Sequence, residues 1–116
     1  MDFKTYQQES SRTCVKLGDL SDNIHMTLGM VTEASELADV FKKRLAYNKP
    51  IDWVNVREEI GDILWYLANF CRMHNIDIEE VMGTNIAKLK ARYPDKFTED
   101  NAINRDLKKE REILEK

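Results

Sequence analysis

Four carboxylates stand in two pairs that have the same spacing along the chain. Glu33 and Glu36 are three residues apart, and Glu59 and Asp62 repeat that interval. Side chains three residues apart on a helix project from the same face. The pairs are nearly symmetric about residues 47–48, so an antiparallel helical hairpin would bring all four acids, the carboxylate quartet, to the same level.

The surroundings of the quartet indicate what chemistry it could do. Glu33 stands in an apolar stripe between Met30 and Leu37, and the second pair also borders apolar positions. Carboxylates gathered in such a setting repel one another and are costly to bury without protons, basic side chains or a cation. Hard oxygen ligands select Mg²⁺, with Mn²⁺ as the alternative. A di-iron bundle would need Glu-x-x-His pairs, and neither His25 nor His74 has that spacing.

Either acidic pair alone would be interpreted as a solvated helix surface, as most such pairs are. Two mirrored pairs within apolar stripes favour a divalent-metal site instead. An acidic site of this kind binds a phosphate chain through its cation, with positive side chains completing the clamp. Asn85, Lys88 and Arg92 follow one another at steps of three and four, and Lys43 belongs to a second basic group. The alternative for each cation is a solvated side chain or one paired with an acid.

Apolar periodicity predicts an all-α fold of four helices followed by an extra C-terminal helix. The expected helices run from Asp2 to about Val15, from about Asn23 to Tyr47, from Asp52 to about His74, from Asp77 to about Tyr93, and from Glu99 to Glu115.

The second of these helices carries two apolar stripes and is therefore expected to be buried on two sides. The first stripe comprises Ile24, Leu28, Val31, Ala38, Phe41 and Leu45, and the second comprises Met26, Met30, Leu37 and Val40. Ser21 and Asp22 are candidate caps at its start. Pro50 ends it after Asn48 and Lys49.

Composition bounds the remaining expectations. A chain of 116 residues predicts one domain, 1–116, in which residues from about 97 onward form a peripheral helix. A net charge of -3 argues against binding to nucleic acid. Neither a signal peptide nor a membrane span is apparent, so a cytoplasmic location with reduced Cys14 and Cys71 is expected. So short a chain suggests that the protein is an oligomer, with a substrate pocket between protomers.

Three segments resemble the motifs of the MazG-like nucleotide pyrophosphohydrolases, of the short single-domain type found in bacteria and phages. They are residues 28–38, LGMVTEASELA; residues 58–67, EEIGDILWYL; and residues 85–94, NIAKLKARYP. The likeness covers nearly the whole chain, in order, and continues into Phe97 and residues 104–106. One departure is Thr32, which occupies the first of two adjacent glutamate positions in the fuller motif.

The resemblance implies the all-α NTP pyrophosphatase fold, which is a four-helix bundle that forms homodimers and sometimes homotetramers. It also implies Mg²⁺-dependent hydrolysis of an NTP to an NMP and pyrophosphate. It also implies that the quartet ligates the metal, with one glutamate orienting or deprotonating the attacking water. By the same resemblance, Asn85, Lys88 and Arg92 would contact phosphates or sugar, with Lys43 as an addition. Tyr66 lies one turn beyond Asp62 and could line or stack on a base.

Several alternatives stay open from the sequence. Within the superfamily the substrate could be dUTP, dCTP or a phosphoribosyl-nucleotide. Outside it, the chain could be a catalytically silent helical partner protein, or a structural bundle stabilised by metal. The last two predict no turnover.

Overall fold

A computed structural model describes all 116 residues and contains helices without any strand, which confirms the predicted all-α fold. The α-helices are α1 (Phe3–Ser10), α2 (Asp19–Tyr47), α3 (Trp53–Met73), α4 (Ile78–Arg92), α5 (Glu99–Ile103) and α6 (Leu107–Glu115), and a 3₁₀ helix follows α1 at Ser11–Thr13. None of them is both long and apolar enough to cross a bilayer. The chain divides into a first unit, Met1–Asn75, and a second unit, Ile76–Lys116.

The first unit is built on the α2–α3 hairpin, and local chemistry fixes its turn. Asn48 ends α2 in the left-handed conformation, with φ of 52°, and its N–H donates to the carbonyl of Arg44. Asp52 caps α3 by accepting hydrogen bonds from the backbone N–H groups of Val54 and Asn55 at 3.1 and 3.2 Å. These two ends confirm the predicted stop and start, and they set the register of the two helices.

Helix α1 is shorter than predicted, because hydroxyl side chains interrupt its C-terminal end. Ser10, Ser11 and Thr13 each donate a hydrogen bond to the carbonyl three residues earlier, and the chain tightens into the 3₁₀ turn. The expected continuation to Val15 is therefore wrong. Val15 is also 55% exposed instead of buried.

Helix α2 begins four residues before the predicted start, and neither candidate cap acts as its N-cap. Gly18 occupies that position with φ of 112°, a conformation that suits glycine. Asp22 lies inside the helix, where its carboxylate accepts a hydrogen bond from the N–H of Leu17 at 2.8 Å. Asp22 thus stabilises the approach to the helix and not its first turn.

Only one of the two apolar stripes of α2 is covered within the chain. Met26 and Val40, of the second stripe, are buried against the rest of the unit. Leu28 and Val31, of the first stripe, are 57% and 62% exposed. Burial on two sides was the expectation, and the isolated chain does not show it because no other element of the first unit covers that stripe.

The second unit contradicts the prediction of one C-terminal helix. The chain breaks between α5 and α6, where the side chain of Asn104 bonds Asp100 and Asp106 begins a new helix by accepting from the N–H of Lys109. Glu110 of α6 is 3% exposed and forms ion pairs with Arg92 of α4 and Arg105. Hydrogen bonds from Arg105 and then Arg92 lower the pKa of Glu110 to about 2.

Two glycines inside the long helices have different surroundings. A Cβ added at Gly29 of α2 would overlap ring atoms of Tyr66 on α3, so the close approach of the two helices there requires glycine. A Cβ added at Gly61 of α3 would meet no atom within 4 Å.

We therefore expect opposite effects from the two glycine-to-alanine substitutions. Gly29→Ala should lower the free energy of unfolding by about 1–3 kcal/mol, because the Tyr66 ring must move. Gly61→Ala should raise it by up to about 1 kcal/mol through better helix propensity. Chemical denaturation of both variants checks this, and equal effects would contradict the close packing of Tyr66 on Gly29.

Candidate metal centre

The α2–α3 hairpin brings together three members of the quartet, and we call these three the carboxylate trio: Glu33, Glu59 and Asp62. One oxygen atom of each lies within 4.8 Å of an oxygen of the other two. Glu59 is 8% exposed, Glu33 is half-buried and Asp62 is open to solvent. Glu36, the fourth acid, lies outside this group and is exposed. The trio thus forms a partly covered acidic site with one open side.

No basic side chain forms an ion pair with an acid of the quartet. The chain's ion pairs involve other acids, namely Glu9, Asp39, Glu110 and Glu115. The nearest polar support is the amide of Asn55, whose nitrogen, when oriented toward the acids, donates to Glu59 Oε1 and Glu58 Oε2 at 3.2 Å. An amide supplies hydrogen bonds but no positive charge, so the repulsion within the site persists.

The repulsion appears in the protonation of Glu59. Its pKa rises from 4.5 to about 7, first because burial disfavours the charged form and then because of a hydrogen bond with Glu33. The charges of Glu33, Asp62 and Glu36 add to the shift. Two carboxyl groups share a hydrogen bond only if one of them carries a proton. Burial and repulsion by the neighbouring acids thus favour the protonated form of Glu59, whereas a bound cation would favour the charged form.

The donor set fits a hard divalent cation. It offers carboxylate oxygens from two rigid helices, on a site with an open side, and includes neither thiol nor imidazole. Oxygen-only ligands of this kind suit Mg²⁺ or Mn²⁺ better than zinc or copper. The structure therefore contains an acidic cluster that could bind a divalent metal.

Lys43 is partly engaged by a neighbouring acid. Its Nζ lies 3.0 Å from a carboxylate oxygen of Asp39, one turn earlier on α2, and more than half of the side chain is exposed. The pKa of Lys43 is raised, chiefly by this hydrogen bond with Asp39 and least by the charge of Glu36. Lys43 therefore lies close enough to Glu36 to interact with its charge.

Tyr66 packs between the helices instead of standing free. Its ring lies on Gly29 and makes edge contacts with His25 and Trp65, at centroid distances of 5.9 and 4.9 Å. The Nδ1 atom of His25 is buried and has no hydrogen-bond partner. Stacking of Tyr66 on a base stays a prediction.

The three predicted phosphate or sugar contacts all belong to α4 in the second unit. Asn85 is exposed and Lys88 is half-buried, and Lys88 takes part in no ion pair. Arg92 pairs with Glu110, as the alternative interpretation of these cations anticipated. The role of these residues toward a substrate stays a prediction.

Sequence analysis missed two residues beside the trio. Asn55 could have been found, since it lies four residues before Glu59 on the same face of α3. Tyr6 of α1 donates from its hydroxyl to the carbonyl of Gly61, at 3.2 Å, between two of the acids. The acceptor is a backbone carbonyl, which every helical residue has, so no pattern in the sequence indicates this contact.

Comparison with known proteins gives a family match over the part of the chain that carries the site. The family model of the MazG nucleotide pyrophosphohydrolase domain matches residues 22–97, which contain the entire quartet. The match spans more than half of the chain, and the protein belongs to this family.

A curated relative extends the comparison to a phage protein. The chain is similar to the Gene 37 protein of Mycobacterium phage L5, with 28% identity over 101 residues that cover 79% of this chain and 89% of the phage protein. The chain matches no solved structure.

The raised pKa of Glu59 predicts how the stability of the metal-free protein depends on pH. The unfolded chain releases this proton near pH 4.5, whereas the folded chain holds it to about pH 7. The folded state therefore binds more protons between these values, and its stability should fall as the pH rises from about 4.5 to 7. Thermal unfolding of chelator-treated protein across this range measures the slope.

Two variants test whether this dependence of stability on pH comes from the acidic site. Glu59→Gln should reduce it and should be more stable than the wild type at pH 8, because a neutral amide is not repelled. Glu58→Gln, which removes an exposed acid one residue away, should keep the wild-type slope. An undiminished slope in Glu59→Gln would show that the cluster is not the source of the pH dependence.

Proposed function

We propose that the protein is a Mg²⁺-dependent nucleoside triphosphate pyrophosphohydrolase that converts a (d)NTP into a (d)NMP and pyrophosphate. The observation that carries the proposal is the unpaired carboxylate trio, which lies within a MazG nucleotide pyrophosphohydrolase domain. A domain of this family needs to hold a polyanion, and an acidic site can do so only through a divalent cation.

In the proposed mechanism the trio and Glu36 hold the cation, with Mn²⁺ as an alternative to Mg²⁺. When bound, the cation would supply positive charge to the phosphate oxygens, and the phosphorus would then be easier to attack. Glu59 must lose its proton when the ligand set forms, since a protonated carboxyl is a poor ligand. A glutamate of the quartet orients the attacking water and accepts its proton. Glu36 is exposed and outside the trio, which suits this task.

Positive and polar side chains are proposed to bind the rest of the substrate. Lys43 and Lys88 are the favoured phosphate ligands, because Lys43 is largely exposed and Lys88 makes no ion pair. Asn85 is proposed to contact phosphate or sugar. Arg92 would need to exchange Glu110 for a phosphate before it could contribute.

We also propose that the protein works in the cytoplasm as a homodimer or homotetramer, without nucleic acid or membrane as a partner. The exposed first stripe of α2 supports self-association, since Leu28 and Val31 are more than half exposed. On α3, Ile60 and Leu64 are also exposed, at 46% and 38%. Apolar residues in such numbers on one hairpin are typical of a protein interface. Tyr66 is proposed to line or stack on the base.

Product analysis tests the proposed reaction. The protein is incubated with canonical and modified NTPs and dNTPs, with Mg²⁺ or with chelator, and the products are separated by chromatography. We expect metal-dependent formation of NMP and pyrophosphate, with the rates across the panel naming the substrate. Glu36→Gln should reduce turnover by about 100-fold or more, because it removes a charge that acts on the reacting groups.

Glu58→Gln is the matched control, since Glu58 is an exposed acid of the same hairpin outside the quartet. It should keep wild-type turnover, and circular dichroism should show intact helices in both variants. NDP and phosphate as products would contradict the proposed bond cleavage. Failure to hydrolyse any triphosphate would favour a phosphoribosyl-nucleotide substrate or a catalytically silent partner protein.

A further inference from the structure

Three hydrogen bonds join α1 and the 3₁₀ helix that follows it to α3. The hydroxyl of Tyr6 donates to the carbonyl of Gly61 at 3.2 Å, and the amide of Gln7 donates to the carbonyl of Ala68 at 3.4 Å. In the opposite direction, the indole N–H of Trp65 donates to the hydroxyl of Thr13 at 3.0 Å. The N-terminal segment thus follows α3 alongside the stretch that carries Glu59 and Asp62.

Of these contacts, the Tyr6 contact lies at the acidic site. Gly61 is the residue immediately before Asp62 and two after Glu59. The Tyr6 hydroxyl is also close enough to Asp62 to sense its charge: the pKa of Tyr6 is raised, first by burial and then by that carboxylate. A phenolic hydroxyl is neutral near pH 7, so Tyr6 contributes a hydrogen bond and no charge.

Asp62 needs such support more than the other two members of the trio. Glu59 is buried and within hydrogen-bond reach of the amide of Asn55, and Glu33 is half-buried. Asp62 is exposed and makes no hydrogen bond of its own. Its short side chain moves with its backbone, so the position of its carboxylate depends on how firmly α3 is held at Gly61. A cation requires its ligands in place to within a few tenths of an ångström, and groups behind the ligands provide that precision.

We infer that Tyr6 is a positioning residue of the metal centre, which fixes the backbone before Asp62 and thereby the ligand geometry. The inference rests on the proposed function, because it assigns Asp62 to the metal. It gives α1, which carries no member of the quartet, a part in the site: the helix brings a neutral hydroxyl to α3 where the acids are.

The test compares Tyr6→Phe with the wild type in three measurements. Calorimetric titration of Mg²⁺ into metal-free protein gives the dissociation constant, thermal unfolding gives stability, and the dependence of kcat and KM on Mg²⁺ gives the effect on turnover. The phenylalanine ring keeps the packing with Phe3 and loses only the hydroxyl. We expect Mg²⁺ binding weakened by about tenfold, as for other residues behind a metal ligand. Turnover should fall at limiting Mg²⁺ and recover at high Mg²⁺.

Gln7→Leu is the matched control. It also removes a hydrogen bond from α1 to a carbonyl of α3, but at Ala68, seven residues beyond Gly61 and away from the acids. It should change the unfolding temperature as Tyr6→Phe does and leave the Mg²⁺ dissociation constant within twofold of the wild type.

The outcomes separate this inference from the proposed function. Wild-type protein that binds Mg²⁺ and hydrolyses a triphosphate, beside a Tyr6→Phe variant with unchanged Mg²⁺ affinity, would overturn the positioning role alone. Equal loss of Mg²⁺ affinity in Tyr6→Phe and Gln7→Leu would also overturn it, because general docking of α1 would then be the cause. Wild-type protein that neither binds Mg²⁺ nor turns over any triphosphate would overturn both.

Discussion

Repulsion among Glu33, Glu59 and Asp62 is the constraint that the first unit is built around. Their oxygens lie within 4.8 Å of one another without an ion pair to a basic side chain, and burial together with this repulsion raises the pKa of Glu59. Only a rigid frame can hold like charges so close. The caps at Asn48 and Asp52 fix the register of the α2–α3 hairpin, and the approach of Tyr66 to Gly29 keeps the helices near each other.

The second unit also contains a buried acid, Glu110, but this acid has basic partners. Glu110 is almost fully buried and receives hydrogen bonds from Arg92 and Arg105, which lower its pKa instead of raising it. Glu110 therefore stabilises the folded chain at neutral pH, whereas an ionised Glu59 destabilises it in the absence of metal. Glu110 is thus paired with bases, whereas the acids of the trio have no basic partner and are available for a ligand. This contrast within one small chain supports a functional interpretation of the trio.

Equal spacing about the hairpin turn made much of the site predictable. It placed the quartet on facing helices, and the structure brings three of the four together. Other features depend on interactions that periodicity does not encode. The division of the C-terminal helix follows from local bonds of Asn104 and Asp106, and the contact of Tyr6 uses a backbone carbonyl. The exposure of the first α2 stripe was also not predicted. An apolar pattern indicates that a helix face is buried, but it does not distinguish burial within the same chain from burial against another chain.

The most direct test of the account is to locate a bound cation. Substoichiometric Mn²⁺ added to isotope-labelled protein broadens the NMR signals of amides near the metal. The account predicts that the amides of Glu33, Glu59 and Asp62 broaden first and that excess Mg²⁺ restores them. Broadening centred on another exposed acidic pair, such as Glu79 and Glu80, while the signals of the trio stay sharp, would contradict the assignment of this cluster as the metal centre.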